Sequence, residues 1–219
     1  MVFPTILVNF RRRVTTLRGM NVHIAVIHYS STGNVHHLAT AIAEGAAAEG
    51  AEVRLRKVPE LAPEEAISTN ARWAAHRDAV ADLADATLDD LEWSDGFALG
   101  SPTRFGLPAA QLKQFLDQTG SLWARGVLAD KVGTAFTSAS TGHGGLESTI
   151  LAINNVLYHW GTVILPLGYT DPSVDATGNP YGSSWVSRKK SQPDDDALAT
   201  ARHHGRRLAR VAGALRAAR

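Results

Sequence analysis

Cysteine is absent from the 219-residue sequence. That absence excludes disulfides, thiol catalysis, thiolate-held iron–sulfur clusters and cysteine-type zinc sites. An excess of charge of either sign is also missing, because 22 Lys and Arg face 21 Asp and Glu and the formal net charge is only +1. No strong overall field therefore attracts nucleic acid or an anionic surface. With no apolar run of about 18 residues, no integral membrane contact is expected, and the lack of cysteine fits a cytoplasmic protein.

The composition, with 44% apolar and 20% charged residues, is ordinary for a globular domain. A clean strand pattern begins only after Met20. Residues 20–219 are therefore expected to form a single domain. Residues 1–19 are expected to be an extension or to precede the natural start, and an extra edge strand at 6–9 is the alternative.

Strand and helix patterns alternate along the rest of the chain. Short runs rich in β-branched residues predict strands at 22–27, 52–57, 96–100, 131–137 and 162–167. Helical spacing predicts helices at 35–48, 71–85, 108–118, 146–159 and 193–218, with a long loop at 168–193. This order predicts an α/β fold, a doubly wound five-stranded parallel sheet with helices on both faces.

Three loops of unusual composition follow the carboxyl ends of strands, where open parallel sheets bind ligands. The loop at 30–34, Ser-Ser-Thr-Gly-Asn, offers hydroxyls and backbone N–H groups at a helix N-terminus, which suits a phosphate; a capped turn is the alternative. The loop at 100–106 frames Arg104 and Phe105 between two glycines and suits a flat ring. The small polar residues of 137–145 suit a polar chain such as ribityl, although each loop alone also fits a merely structural connection.

The motifs in these loops resemble those of WrbA-type flavoproteins, NAD(P)H:quinone oxidoreductases of flavodoxin-like fold. The segments that carry the resemblance are Tyr-Ser-Ser-Thr-Gly-Asn at 29–34, Gly-Ser-Pro-Thr-Arg-Phe-Gly at 100–106, Phe-Leu-Asp-Gln-Thr-Gly at 115–120, Leu-Trp-Ala at 122–124, Ser-Thr-Gly-His-Gly-Gly at 140–145, Leu-Gly-Tyr at 167–169 and Asn-Pro-Tyr-Gly at 179–182. The resemblance covers about residues 20–215.

The resemblance implies an FMN cofactor, NADH or NADPH as the electron donor, a quinone as the acceptor and a homotetramer with sites built across subunits. The implied cofactor-binding residues are Ser30, Ser31, Thr32, Gly33, Asn34, Val35, Pro102, Thr103, Arg104, Phe105, Gly106, Ser138, Ala139, Ser140, Thr141, Gly142, His143, Gly144 and His159. His159 and Trp123 are the implied catalytic residues, with Trp123 supplied to another subunit's site. A flavodoxin-type electron carrier and a non-catalytic flavin-binding regulator are the alternatives.

Several features depart from this family or need no special role. Thr32 stands where some relatives carry an aromatic residue, and the basic run 188–190 has no counterpart. Adjacent histidines, such as those at 36–37, point about 100° apart on a helix, so no metal site is expected. The acidic run 194–196 is expected to cap the last helix, and the arginines between 206 and 219 to form a solvated face rather than to bind nucleic acid.

Overall fold

A computed structural model describes residues 21–188 and 191–218. The predictions made for residues 1–19, with the alternative strand at 6–9, lie outside the described residues, as do Lys189 and Lys190 of the basic run. In the described part of the chain, none of the helices combines the length and apolarity needed to cross a membrane.

A twisted parallel sheet forms the centre of the protein. Its strands are β1 (His23–His28), β2 (Glu52–Lys57), β3 (Gly96–Arg104), β4 (Leu107–Pro108), β5 (Val132–Ala139), β6 (Val163–Ile164) and β7 (Ser184–Val186). The order is β2-β1-β3-β5-β6, with β4 antiparallel to β3 and β7 parallel to β5. β6 pairs with the start of β5 and β7 with its end, so the two short strands share the fifth position of the sheet.

The helices connect these strands and cover the sheet. Their bounds are α1 (Asn34–Ala48), α2 (Glu64–Ser68), α3 (Ala71–Ala79), α4 (Leu88–Trp93), α5 (Ala110–Asp117), α6 (Gly120–Ala124), α7 (Leu146–Trp160), α8 (Pro172–Thr177) and α9 (Asp195–Ala217). Alternate residues of β1 point to opposite faces: Ile24 and Val26 pack against α1 and α9, whereas Ala25 and Ile27 pack on the face covered by α5 and α7. Helices thus lie on both faces, and the predicted doubly wound α/β fold is confirmed.

α1 and α9 approach each other closely through two glycines. A Cβ atom at Gly45 would lie 2.0 Å from the carbonyl oxygen of Arg202, and one at Gly205 would lie 1.9 Å from that of Ile42. Only glycine lets the two backbones meet at this distance. Gly45, which weakens the helical pattern of the sequence, is therefore required by the packing of the two helices.

Several sequence-based bounds were wrong. Among the described residues the sheet has seven strands instead of five, the strand predicted at 162–167 is only the two residues of β6, and β5 runs past its predicted end at 137 to Ala139. The predicted helix at 71–85 ends at Ala79, because the backbone of residues 84–86 bonds instead to Lys57 at the end of β2. The predicted loop at 168–193 contains α8 and β7, since residues 184–186 complete the free edge of β5. β3 continues to Arg104, past the predicted end at 100. Pro102 is tolerated there because β1 has already ended and only β5 still pairs on the parallel side.

The acidic run at the start of the last helix has the predicted role. The carboxylate of Asp194 accepts a hydrogen bond from the backbone N–H of Ala197 at 2.9 Å, and Asp195 and Asp196 lie in the first turn of α9. Carboxylates at this end of a helix interact favourably with its dipole. The run is therefore a helix cap.

Candidate functional site

The first loop, residues 30–34, turns the chain from β1 into α1. Gly33 is the residue before the helix and has φ +97°, a conformation that side chains with a Cβ rarely adopt. Its N–H donates to Ser30 Oγ at 3.1 Å. The first N–H groups of α1 have no carbonyl within the helix to bind, so they are available to an anion. The side-chain oxygen of Asn34, which is only 5% exposed, has no hydrogen-bond partner within the protein.

The second loop is a short hairpin rather than an irregular connection. Thr103 and Arg104 pair with Pro108 and Leu107 of β4, and the turn between them consists of Phe105 and Gly106. Phe105 has φ +54° and its ring is fully exposed. A left-handed conformation is unusual for an aromatic residue and is held here by the hairpin on both sides. The hairpin therefore presents an apolar ring at the carboxyl edge of the sheet.

The third loop is shorter than the sequence suggests, because Ser138 and Ala139 belong to β5 and pair with β7. Residues 140–143 are exposed, and the N–H of Gly144 donates to the Thr141 carbonyl at 3.1 Å. Gly145, with φ +95°, immediately precedes α7. The loop thus offers hydroxyls and backbone groups to solvent, in a turn closed on itself.

Two side chains join the three loops directly. Thr103 Oγ1 donates to the Gly144 carbonyl at 3.3 Å, which connects the second loop to the third. The guanidinium of Arg104 donates to Ser31 Oγ at 3.3 Å, which connects the second loop to the first. A Cβ at Gly145 would lie 2.8 Å from the Cα of Gly106, so the hairpin and the third loop are in contact as well. The predicted convergence of the three loops is confirmed.

Glu60 accepts several hydrogen bonds next to the first loop, and the sequence motifs did not identify it as a residue of the site. Its carboxylate accepts hydrogen bonds from Tyr29 Oη at 2.8 Å, Trp73 Nε1 at 2.8 Å and Gln111 Nε2 at 2.6 Å. Burial alone would raise the pKa of Glu60, but the N–H of Ala62 and these three donors together hold it below its usual value. Burial, and then the bond to Glu60, raise the pKa of the Tyr29 phenol. No local motif marks this network, because its side-chain donors come from the residue after β1, from α3 and from α5.

Trp123 and His159 lie elsewhere. α7 runs from the carboxyl edge of the sheet back to its amino edge, so His159, in the last turn, is about 20 Å from the third loop along the helix axis. The indole N–H of Trp123 donates to the His159 carbonyl at 2.9 Å, and both side chains are exposed. The structure of the chain brings the two implied catalytic residues to each other but not to the three loops.

Comparison with known proteins places the chain in a family. Residues 22–171 match the family model described as NADPH-dependent FMN reductase. A protein of Deinococcus radiodurans named NAD(P)H dehydrogenase (quinone) is 42% identical over 187 residues, 85% of this chain and 93% of that protein. A protein of the same name from Methylocella silvestris is 42% identical over 200 residues, 88% of this chain and 98% of that protein.

Among solved structures, a flavodoxin, WrbA-like protein from Agrobacterium tumefaciens superposes with a TM-score of 0.63 at 24% identity, over 88% of this chain and 98% of that one. At this identity the likeness speaks for the flavodoxin-like fold alone. Together with the match over residues 22–171, it confirms the resemblance drawn from the loop motifs, and the chain belongs to the NADPH-dependent FMN reductase family.

Proposed function

We propose that the protein is an FMN-dependent NAD(P)H:quinone oxidoreductase. The observation that carries the proposal is the joining of the three loops through Thr103 and Arg104 at the carboxyl edge of the sheet. The relatives from Deinococcus radiodurans and Methylocella silvestris, named NAD(P)H dehydrogenase (quinone), cover most of this chain and support the same activity.

The residues at the site fit FMN. A phosphate at the start of α1 would accept hydrogen bonds from backbone N–H groups. The unpartnered side-chain oxygen of Asn34 would accept one from a hydroxyl of the ribityl chain. The exposed ring of Phe105 supplies a flat apolar wall for the isoalloxazine. Arg104 adds a cation next to it, and the turn at 140–144 supplies polar groups.

The chemistry that FMN supplies when bound is two-electron transfer from a reduced nicotinamide to a quinone. The protein would hold the nicotinamide and the quinone in turn against the same face of the flavin ring, so that donor and acceptor bind one after the other. Phe105 would provide an apolar surface beside the stacked rings and would exclude water from them. His159 is proposed to donate a hydrogen bond or a proton to a quinone oxygen, a role suited to imidazole.

A homotetramer would reconcile this role with the distance between His159 and the loops of its own subunit. Leu151, Tyr158 and Trp123 are 45%, 70% and 55% exposed, and the first two lie on one face of α7. A row of large apolar side chains in solvent is typical of a surface that meets another protein. We propose that this face meets a second copy of the chain and delivers Trp123 and His159 to the partner's site.

The visible spectrum of the FMN-loaded protein tests the function. On addition of NADH or NADPH without oxygen, the flavin absorbance is expected to bleach, and benzoquinone is expected to restore it. Binding of FMN without bleaching by either donor would instead favour an electron carrier or a regulator. Failure to bind FMN would contradict the account of all three loops.

A further inference from the structure

Four imidazoles, from His28, His36, His37 and His76, form a cluster beside the first loop. His28 Nε2 and His36 Nδ1 are 3.0 Å apart, which is a hydrogen bond. The ring of His36 lies 5.4 Å from that of His76 and 6.1 Å from that of His37. The cluster joins the end of β1, the first turn of α1 and the middle of α3, which the sequence does not bring together.

Two members of the histidine cluster border the phosphate loop itself. A Cβ atom at Gly33 would lie 3.6 Å from His76 Nδ1 and 3.8 Å from His37 Nε2. His37 is in the first turn of α1, where side chains lean back toward the helix N-terminus. Both imidazoles therefore lie within a few ångströms of the backbone that would cradle a phosphate.

The first loop contains no lysine or arginine, so a bound phosphate dianion would have little formal positive charge against it. The nearest guanidinium, that of Arg104, reaches Ser31 from the hairpin and also donates to the Thr103 carbonyl at 3.0 Å. A helix dipole supplies about half a unit charge, much less than the two charges of a phosphate. A protonated imidazole at this position would supply one further positive charge.

Without an anion, His28, His36 and His76 are held neutral near pH 7. Burial, followed by repulsion from His36, lowers the pKa of His28 to about 3 and that of His76 to about 4. Burial and then His37 lower the pKa of His36 as well. The rings around His28, His36 and His76 thus disfavour a proton on each of these three, and an added negative charge would oppose this effect.

The other charged groups around the cluster are already paired. Lys57 of β2 forms a salt bridge to Asp85 at 3.0 Å, and Arg77 of α3 pairs with Asp78 at 2.9 Å. Glu60 lines the same small pocket as His28 and His76. Although burial alone would raise it, the pKa of Glu60 is held below its usual value by the N–H of Ala62 and the three side-chain donors, so Glu60 is already ionised near pH 7. The imidazoles are therefore the groups whose charge can change when an anion arrives.

We propose that His37 and His76 are ligands of the FMN phosphate and that binding is coupled to the uptake of a proton from solvent onto this pair. The proposal rests on the proposed function, because it requires that FMN occupies the first loop. It adds two binding residues that the loop motifs do not contain. A metal site is the competing use of such a cluster, but the described residues contain no group of three or more His, Asp or Glu arranged to hold an ion.

Calorimetric titration of the apoprotein with FMN tests the proposal. At pH 6.5, titrations in two buffers of different ionisation enthalpy give the number of protons taken up, for the wild type and for a His37→Gln/His76→Gln double variant. FMN's own phosphate, whose second pKa is near 6, also exchanges a proton. The ³¹P signal of each complex reports the protonation state of the bound phosphate, and the difference in proton uptake is compared after this contribution is subtracted. We expect the wild type to take up more protons than the double variant, by about half a proton or more per FMN bound. The Kd of the double variant should rise about tenfold, equivalent to one pKa unit of coupling.

Two controls give the result its meaning. Riboflavin, which lacks the phosphate, should bind the wild type and the double variant equally. A His203→Gln variant, whose ring contacts Thr170 instead of the loop, should keep the wild-type proton uptake. Equal proton uptake by the wild type and the double variant, or an equal loss of riboflavin binding, would overturn the proposal. If the wild type binds no FMN, the proposed function fails first.

A measurement on the wild type alone covers the case in which the variants do not fold. In protein carrying ¹³C-labelled histidine, FMN at pH 6.5 should move the signals of one or two imidazoles toward their protonated positions, and riboflavin should not. Histidine signals that stay neutral in the FMN complex would also overturn the proposal.

Discussion

The indole N–H of Trp123 donates a hydrogen bond of 2.9 Å to the carbonyl oxygen of His159, so that α6 and the end of α7 present the two side chains together. Because both point to solvent about 20 Å from the third loop of the same chain, we predict that they complete the site of a partner subunit. Trp123→Ala should lower quinone turnover about fivefold through the loss of aromatic stacking worth about 1 kcal/mol. FMN binding should be unchanged.

Hybrid oligomers test whether each site combines the loops of one subunit with Trp123 of another. Gly33→Val, which places a β-branched residue at φ +97°, should abolish FMN binding and activity. Co-expression of this variant with Trp123→Ala would give hybrids in which an intact loop meets an intact Trp123. Recovery of turnover above that of either variant alone is expected. Hybrids no more active than the parents would contradict a site built between subunits.

Replacement of His159 should affect the acceptor half of the reaction alone. With His159→Asn, reduction of the bound flavin by NADH should be unchanged, while reoxidation by benzoquinone should slow at least tenfold, a modest loss for a proton donor. Stopped-flow measurement of the two half-reactions between pH 6 and 9 separates them. Quinone turnover equal to that of the wild type at every pH would rule out the proposed role.

The loops of the site were predictable because each consists of consecutive residues after a strand, and parallel strands end at one edge. Glu60 and His76 were not, since Glu60 comes from the loop after β2 and His76 from α3, and only tertiary contacts bring them next to Tyr29 and Gly33. Residues 80–85 continue the apolar spacing of the predicted helix, but the backbone at 84–86 bonds to Lys57 at the end of β2 instead. The wrong helix end and the missed residues both arise from contacts between distant parts of the chain, which local sequence patterns do not contain.

The contact between α1 and α9 should tolerate no side chain. A Cβ at Gly205 would lie 1.9 Å from the Ile42 carbonyl oxygen and 2.8 Å from the Ala46 nitrogen, so Gly205→Ala must push the helices apart. Overpacking of this kind costs about 1–3 kcal/mol or more. Urea unfolding should show that loss. The matched control is Gly120→Ala, at the start of α6, where no atom lies within 4 Å of the added methyl group. If both variants are equally stable, α1 and α9 do not meet as described.

Acid should destabilise the protein through its buried histidines. His204, fully buried in α9, has its Nε2 2.6 Å from Thr134 Oγ1 and its Nδ1 3.0 Å from Ser183 Oγ, and burial lowers its pKa to about 3. The unfolded chain takes up this proton near pH 6.5, whereas the folded protein does so only near pH 3. The unfolded state therefore binds more protons between these values. The contribution of His204 to the free energy of unfolding is complete above pH 6.5 and is lost as the pH falls, by about 1.4 kcal/mol per pH unit.

His204→Gln should reduce the change in the free energy of unfolding with pH by the contribution of one proton. It should also lower the free energy of unfolding at every pH by about 1–2 kcal/mol, because its hydrogen bonds are lost. Free energies of unfolding in urea at intervals between pH 4 and 7 give both quantities. Thr134→Val is the control: it removes the hydroxyl partner but keeps the imidazole, so the protein should be weaker at every pH with the wild-type slope. Because His28 is buried in the same way, with a pKa of about 3, a slope should remain in the His204 variant. An unchanged slope in His204→Gln would mean that His204 is already protonated in the folded protein, and that its hydrogen bonds to the two hydroxyls are arranged differently.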